Sequence, residues 1–207
     1  MRTTLSITIA TLLLVSPAIA ADVVESDQVV EFDTGRFDWS GIYVGGTIGY
    51  VYAYDDDPAF PIAPGVIIPL ESEGENNTAG GFVGYAYQDG DFVYGAEYEY
   101  VDLDTQFIGQ GVGPIPVFIE DAHALRARIG YAWGESTQLY GFGGAMYTRV
   151  NIGLEDWTPI VGGGIDYALT DNLIVGGQYT YSWYDGYDGT PIEGTFDYFA
   201  ARVAIKF

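Results

Sequence analysis

The chain has 207 residues, with 29 acidic side chains against 7 basic ones, no cysteine and a formal net charge of −22. This acidity excludes nucleic-acid binding, which requires a basic surface. The lack of cysteine excludes disulfides, a thiol nucleophile and a cysteine-ligated metal. Acidic disordered chains are poor in aromatic residues, whereas this chain is 16% aromatic and 48% hydrophobic. The length and composition therefore predict a folded chain of one domain, or two small ones.

The first twenty residues have the pattern of a secretory signal peptide. Arg2 provides the positive start, residues 5–15 form a short apolar core, and residues 18–20 form an A-x-A cleavage site. A transmembrane anchor is the alternative, but the apolar stretch is too short to span a bilayer comfortably. The sequence therefore predicts an exported protein with a signal peptide over 1–20. Residues 21–40 are acidic without a regular period, which predicts a mobile N-terminal extension.

From Gly41 onward the sequence predicts strands that are separated by turn residues. The predicted strands are 41–54, 78–88, 91–103, 123–133, 137–150, 158–169, 173–184 and 195–207. They run from 11 to 14 residues. Strands of soluble proteins most often have about 5–6 residues, whereas a tilted strand needs roughly 9–11 residues to cross a bilayer. The lengths therefore favour a membrane protein.

The connections between these strands alternate in length. Tight turns at 89–90, 134–136 and 170–172 alternate with long links at 55–77, 104–122, 151–157 and 185–194. Short turns on one side and long loops on the other are typical of outer-membrane barrels, with the short side in the periplasm. The sequence therefore predicts an all-β, eight-stranded, antiparallel, up-and-down transmembrane barrel over 41–207, with both termini periplasmic.

Side-chain alternation indicates which face of each strand meets lipid. In the fourth strand, Leu125, Ile129 and Trp133 alternate with Arg126 and Arg128. The third, seventh and last strands alternate in the same way, with charges of both signs and glycines on the polar face and aromatic residues near the strand ends. This predicts a narrow polar lumen and aromatic girdles facing lipid. The facing of the glycine-rich first, second, fifth and sixth strands is left open.

Most basic residues that follow the signal peptide are predicted to lie in the lumen. Because an unpaired buried charge is costly, the charges of opposite sign there should pair. The predicted lumen charge network comprises Glu97, Glu99, Arg126, Arg128, Arg149, Asp166, Gln178, Arg202 and Lys206. An eight-stranded barrel is just wide enough inside for side chains to fill it. The network is therefore expected to plug the barrel, rather than to line a wide pore.

The predicted long loops carry acidic residues and no basic one. In the first loop the acidic residues are Asp55, Asp56, Asp57, Glu71, Glu73 and Glu75. Carboxylates are ligands for calcium, but their spacing does not match an EF-hand loop. The sequence therefore predicts no specific metal site, and favours diffuse divalent bridging between the loops and an anionic outer-leaflet surface.

Catalysis would require a nucleophile, a base and an orienting acid within hydrogen-bond reach. The one histidine, His123, has Asp121 nearby in sequence, and Ser182 lies near the outer end of the seventh strand. Alternation places His123 in register with lipid-facing Leu125 but places Ser182 in the lumen. The sequence therefore predicts no catalytic residues and no cofactor.

Several segments resemble a known family. Residues 37–46, FDWSGIYVGG, resemble the W-[ST]-G-[FIL]-Y-[VI]-G first strand of small, opacity-protein-like outer-membrane barrels, the so-called porin family of alphaproteobacteria. Residues 126–132, RARIGYA, are similar to that family's R-x-R-[LI]-G-Y-A strand. Residues 170–173 and 178–181 resemble its T-[DN]-N-[LW] and E-Y-x-Y stretches, with Gln178 where glutamate is usual. The terminal Phe207 resembles the aromatic end that the barrel-assembly machinery reads.

The resemblance covers residues 37–207 and implies a location in the outer membrane of a Gram-negative cell. Its implied partners are outer-membrane lipid, lipopolysaccharide and the barrel-assembly machinery. It implies a non-enzymatic protein that contributes to envelope structure and surface properties. Two alternatives stay open, a narrow passive pore and a surface adhesin or receptor that binds through its loops.

Overall fold

Eight long antiparallel strands close into a barrel. The barrel strands are β1 (Gly41–Asp55), β4 (Glu73–Asp89), β5 (Phe92–Ile108), β6 (Pro116–Trp133), β7 (Thr137–Val150), β8 (Glu155–Ala168), β9 (Leu173–Asp185) and β10 (Glu193–Lys206). Each pairs with its sequence neighbour, and β1 pairs with both β4 and β10, which closes the sheet. The predicted fold class is therefore confirmed.

The computed structural model describes residues 35–55, 59–63, 66–69, 73–108, 116–150, 153, 155–185, 187–189 and 193–207. The predicted signal peptide and residues 21–34 lie outside the described residues. Within the described ranges, no helix is long and apolar enough to cross a membrane.

The long connections contain more strand than predicted. A separate antiparallel hairpin, β2 (Ala59–Ala63) and β3 (Val66–Pro69), lies within the first predicted loop, and a short 3₁₀ helix (Tyr187–Gly189) lies between β9 and β10. The predicted loop 104–122 is mostly a continuation of β5 and β6, which stay paired as far as Ile108 and Pro116. Phe, Ile and Val in these segments favour extended backbone, although proline and glycine interrupt the alternation that predicted the other strands.

The outward face of the barrel strands is mostly apolar, and the charged residues at mid-barrel face the lumen. Ile48, Leu125 and Trp133 are exposed on the outer surface, whereas Glu97 and Arg126 are almost completely buried inside. The glycine-rich first strand follows the same rule, because Thr47 is buried in the lumen while its neighbour Ile48 faces out. The predicted inside-out alternation is confirmed, and it leaves an apolar band around the barrel.

The lumen is packed in three layers. The "turn end" of the barrel is the end with the tight turns, and the "loop end" is the opposite one. Buried residues at the turn end are Trp39, Tyr43, Phe82, Ala86, Val93, Ala132, Ala168, Ile174 and Ala204. Buried residues towards the loop end are Val51, Ala53, Val101, Leu103, Ala122, Ala124, Met146, Ile160, Phe196, Tyr198 and Ala200. Along β5 and β6 the charged residues lie between these two apolar layers.

Residues 36–40, here called the N-terminal strap, are bound to the turn end. The Arg36 guanidinium donates to Asp91 Oδ1 at 2.6 Å and to the carbonyl oxygen of Ala132 at 2.8 Å. The Trp39 amide donates to the side chain of Gln88 at 2.8 Å, and the Trp39 side chain is only 5% exposed. This part of the predicted mobile extension is therefore held against the barrel by hydrogen bonds and by burial of a large ring.

Replacing Trp39 by alanine should destabilise the barrel. The ring packs into the turn-end layer, and truncating a buried tryptophan costs about 3–5 kcal/mol through lost contacts and the cavity that remains. Denaturant unfolding of the refolded protein in lipid vesicles measures the change. Trp39→Phe should recover more than half of the loss, and equal stability of Trp39→Ala and wild type would show that the strap contributes nothing.

The pKa of Asp91 should depend on the strap. The hydrogen bond from Arg36 holds the pKa of the Asp91 carboxyl below its ordinary value of 3.8. A lowered carboxyl pKa stabilises the folded state above the ordinary pKa, and this contribution disappears as the pH falls through the folded value. In Arg36→Gln the pKa of Asp91 should return towards 3.8, as measured by carbon NMR of its carboxyl. An unchanged pKa would show that the ion pair does not persist in solution.

Candidate functional site

The charged layer of the lumen is built from five strands. The "lumen cluster" consists of Glu97, Glu99, Arg126, Arg128, Asp166, Gln178 and Arg202, all of them buried. Side chains alternate along each strand, so Glu97 and Glu99 on β5 and Arg126 and Arg128 on β6 all point into the lumen. The register places Glu97 directly opposite Arg126. Closure of the barrel brings Asp166 on β8, Gln178 on β9 and Arg202 on β10 to the same level.

Glu97 is the centre of the lumen cluster. Its carboxylate accepts hydrogen bonds from Arg126 Nε at 2.9 Å, from Arg128 Nη1 at 2.6 Å and from Arg202 Nη2 at 2.7 Å. The Tyr43 hydroxyl donates a further bond at 2.9 Å. Three guanidinium groups and a phenol therefore surround a carboxylate that is only 1% exposed.

Two further carboxylates balance the remaining positive charge. Glu99 accepts from Arg126 Nη2 at 2.6 Å, from Gln178 Nε2 at 3.2 Å and from the Thr47 hydroxyl at 3.2 Å. Asp166 accepts from Arg128 Nη2 at 2.8 Å and lies 3.5 Å from Arg202 Nε. Three arginines thus face three carboxylates, and the lumen cluster is formally neutral. Pairing of this kind offsets the desolvation cost of buried charges.

Aromatic rings hold the guanidinium planes. Arg126 lies 4.5 Å from the centroid of the Phe142 ring, and Arg128 lies 3.8 Å from that of Tyr140. Arg202 lies 4.1 Å from the centroid of Phe82. Stacking of arginine on an aromatic face adds a cation–π attraction and fixes the plane of the guanidinium.

Each of these rings covers a glycine on the neighbouring strand. The register pairs Phe142 with Gly162, Tyr140 with Gly164, and Gly45 with Phe82. A Cβ atom added at any of the three glycines would collide with the ring opposite it. Glycine is therefore required so that the rings can lie flat against the wall and leave the centre of the lumen to the arginines.

Little space remains around the lumen cluster. One cavity of about 20 Å³ adjoins Arg128, Asp166 and Arg202, and another of about 10 Å³ adjoins Glu99 and Arg126. A water molecule needs roughly 10–15 Å³, so each cavity suits about one water. Asp166 Oδ1 is buried without a hydrogen-bond partner, and a water in the first cavity would satisfy it. The arrangement holds a fixed polar network, and these two cavities each suit about one water.

Two residues of the predicted network lie apart from the lumen cluster. Arg149 was predicted to face the lumen, and this is wrong. It lies on the outward face of β7 and donates from Nε to Asp121 Oδ1 at 3.0 Å. Gly143 and Gly144 have no side chains, so the alternation of apolar residues along β7 is interrupted before Arg149. Lys206 is at the turn end, where its ammonium donates to the carbonyl oxygen of Asp38 and lies over the Phe37 ring.

The predicted acidic loop is described only in part. Asp56, Asp57 and Glu71 lie outside the described residues, and only the backbone is described at Asp55 and Glu73. The carboxylate of Glu75 accepts a hydrogen bond from the Tyr50 hydroxyl on the outward face. Across the described ranges, no group of three or more histidine, aspartate or glutamate side chains is placed to hold a metal ion.

The residues of the hypothetical triad have separate partners. The Ser182 hydroxyl donates to Thr158 Oγ1 at 2.9 Å inside the lumen. His123 Nδ1 is 2.7 Å from the Tyr98 hydroxyl, and its Nε2 lies 3.8 Å from Asp121. Strands β7 and β8 separate the strands that carry His123 and Ser182. The structure therefore does not assemble the Ser182–His123 pair.

The C-terminal aromatic residue lies at the turn end. Phe207 donates its amide to the carbonyl oxygen of Ile42 at 2.9 Å, and its side chain is 71% exposed on the outer surface. The ring continues the apolar outward face formed by Val203 and Ile205 on β10.

Sequence reasoning missed the aromatic members of the site. Tyr43, Phe82, Tyr140 and Phe142 all lie in the glycine-rich strands whose facing was left open. The available signal was an aromatic residue opposite a glycine in the paired strand, as Tyr43 is opposite Gly84. That signal can be recognised only once the register between strands is known.

Known proteins agree with this architecture. The profile of the outer membrane protein beta-barrel domain family matches residues 8–207. The chain is 31% identical to a 31 kDa outer-membrane immunogenic protein of Brucella melitensis, with 80% of each chain covered. It is 28% identical to a 25 kDa outer-membrane immunogenic protein of Brucella abortus, with 100% of this chain and 99% of that protein covered. Among solved structures, Neisserial surface protein A aligns with a TM-score of 0.52 at 16% identity, covering 81% of this chain and 98% of that one.

The solved structure supports the eight-stranded barrel fold alone, because its sequence identity is low. The family profile covers nearly the whole chain. The Brucella relatives are outer-membrane proteins by name, which indicates the location of the family. The chain is therefore an outer-membrane protein and belongs to the outer membrane protein beta-barrel domain family.

Proposed function

We propose that this protein is a non-enzymatic outer-membrane barrel that contributes to envelope structure and surface properties, with a lumen plugged by the lumen cluster. The observation that carries this proposal is the neutral set of three arginines and three carboxylates around Glu97. A pore needs mobile water and solvated charges, whereas these charges are buried and bonded to each other.

The lumen cluster supports a structural role because it connects distant parts of the sheet. Glu97 on β5 is bonded to Arg202 on β10, and Arg128 on β6 is bonded to Asp166 on β8. These contacts join strands that are not hydrogen-bonded neighbours in the sheet. They therefore oppose flattening or opening of the sheet, in addition to the backbone bonds that a membrane barrel must satisfy internally.

The proposed orientation puts the turn end and both termini in the periplasm and the loop end outside the cell. The short turns at one end and the acidic loops at the other support it. Outward carboxylates near the loop end accept hydrogen bonds from tyrosines of adjacent strands, as Glu155 does from Tyr147 and Asp197 from Tyr179. Such a polar and aromatic belt suits the outer lipid boundary, where divalent ions would link the acidic surface to lipopolysaccharide. Phe207 would serve as the signal for the barrel-assembly machinery.

Surface recognition is the second candidate function. The Brucella relatives are outer-membrane immunogenic proteins by name, which suits the proposed orientation with the loop end outside the cell. The narrow passive pore is the weaker alternative, because two apolar layers and the lumen cluster occupy successive levels of the described lumen.

Glu97→Gln should strongly destabilise the barrel. It leaves three buried arginines against Glu99 and Asp166, and removing one partner from a buried ion pair costs about 3–5 kcal/mol. Denaturant unfolding in lipid vesicles, monitored by tryptophan fluorescence, measures the loss. Glu155→Gln is the matched control, because it removes a carboxylate from the outward face and should change stability by no more than about 0.5 kcal/mol.

The double variant Glu97→Gln/Arg126→Gln restores neutrality in the lumen. It should be less destabilised than the sum of the two single variants, since residues in one ion-pair network couple by roughly 0.5–3 kcal/mol. Strict additivity of the two substitutions would contradict the cooperative network.

Conductance separates the plug from the pore. Wild-type protein in a planar lipid bilayer should show no stable unitary conductance, because paired charges and apolar layers fill the lumen. A known porin, reconstituted in the same way, controls for insertion. Reproducible unitary steps from the wild type, scaling with salt concentration, would overturn the proposed closed barrel in favour of passive transport.

A further inference from the structure

Some buried polar atoms of the lumen have no hydrogen-bond partner among the described residues. They are Asp166 Oδ1, Thr78 Oγ1, Thr180 Oγ1 and the Tyr198 hydroxyl oxygen, and each belongs to a side chain that is at most 6% exposed. Buried polar groups in folded proteins are almost always paired, either within the protein or with an ordered water. These atoms therefore indicate a small polar ligand inside the barrel.

The unpartnered atoms adjoin the two cavities of the lumen. Asp166 lines the cavity of about 20 Å³, which Trp39 of the N-terminal strap also lines. Thr180 and Tyr198 line the cavity of about 10 Å³, together with Glu99. Apolar residues of the loop-end layer complete the wall of this second cavity. The two cavities thus lie on opposite sides of the lumen cluster, the first towards the turn end and the second towards the loop end.

The second cavity is lined by two hydroxyl residues and a carboxylate. Thr180 on β9 is directly opposite Tyr198 on β10. The Tyr198 ring lies over Gly49, where an added Cβ would be 2.6 Å from Cε2 of the ring. Its hydroxyl lies near that of Thr78, but the two do not reach hydrogen-bond geometry. A ligand here can bond both to hydroxyl groups and to the Glu99 carboxylate.

The first cavity offers an acceptor and several donors. Asp166 Oδ2 accepts from Arg128 at 2.8 Å, whereas Oδ1 is 3.5 Å from Arg202 Nε and forms no hydrogen bond. Gln138 is directly opposite Asp166, is only 5% exposed and lines the same cavity. A ligand in this cavity must therefore donate to Asp166 Oδ1, and it can accept from the Gln138 amide or from a guanidinium group.

Charge and size select water as the ligand. In the second cavity a cation would face Arg126 and an anion would face Glu99. In the first, a cation would face Arg128 and Arg202, and a simple anion could not donate to Asp166. A buried water needs roughly 10–15 Å³ and makes about three hydrogen bonds with otherwise unsatisfied groups. Both cavities meet these requirements for one molecule.

We propose that the lumen binds two internal water molecules, one on each side of the lumen cluster. The water in the first cavity donates to Asp166 Oδ1. The water in the second bonds to the hydroxyls of Thr180 and Tyr198 and donates to the Glu99 carboxylate. The proposal rests on the closed lumen proposed above and deepens it, because the plug then includes two separate, fixed waters instead of a continuous water column.

A high-resolution crystal structure of the refolded protein tests both sites directly. Each cavity should contain one water peak, with protein polar atoms at hydrogen-bond distances of about 2.7–3.2 Å. Crystals grown in bromide should show no anomalous peak in either cavity. A cavity without density, or one with an anomalous bromide peak, would refute the proposed water site there.

The substitution Thr180→Val gives a test in the membrane, because its sign depends on the water. If the Thr180 hydroxyl is bonded to water, removing it should lower the folding equilibrium constant by roughly two- to tenfold, as for the loss of one buried hydrogen bond. If the hydroxyl has no partner, valine removes an unsatisfied group and the constant should rise. Denaturant unfolding in lipid vesicles measures the change, and a rise would contradict the second water.

Thr148→Val is the matched control. The Thr148 hydroxyl is buried on β7 and is bonded to the Tyr187 hydroxyl at 2.8 Å. Its removal should therefore lower the folding equilibrium constant whether or not the lumen binds water, and this sets the scale for Thr180→Val. Conductance tests the closed lumen separately. Empty cavities in a barrel that conducts no ions would remove the water sites and leave the closed barrel intact, whereas unitary conductance would remove the closed barrel itself.

Discussion

The requirement that every backbone polar group in the membrane be paired within the protein governs this structure. The chain meets it by closing the sheet between β1 and β10. Closure with eight strands limits the lumen to the width of packed side chains. The outward face must then be apolar, and every polar side chain that alternation directs inward must find its partner inside that narrow space.

Glu97 shows how the lumen satisfies this condition. Its carboxylate forms ion pairs with three guanidinium groups, and the carboxylates of Glu99 and Asp166 neutralise the remaining positive charge. The arginines fit because aromatic rings lie flat against glycines of the wall, as Phe142 does against Gly162. Glycine, ring and guanidinium form successive layers from wall to centre, so these three glycines and the three buried arginines belong to one packing arrangement.

The strands, their order and the lumen face around Arg126 and Arg128 could be predicted from the sequence, because the patterns that indicate them are local. The period-two pattern around Arg126 and Arg128 located a strand and its lumen face, and the tight turns ordered the strands. The errors lie where local pattern is weak. Arg149 follows a glycine doublet, and its predicted face is wrong. The sequence between the predicted strands of β5 and β6 is interrupted by glycine and proline, which hides their outer ends. The partners of Glu97 beyond its neighbouring strand depend on closure and register, which no single segment encodes.

The charges of this chain are divided between the lumen and the rest of the protein. Arg126, Arg128 and Arg202 are kept inside, where Glu97, Glu99 and Asp166 neutralise them, whereas Arg36 and Arg149 lie outside the lumen and pair with Asp91 and Asp121. Because the chain has only 7 basic side chains for 29 acidic ones, this pairing leaves a large excess of negative charge outside the lumen cluster. The neutral lumen cluster and the acidic remainder of the chain are two consequences of the same partition of charge between the lumen and the rest of the protein.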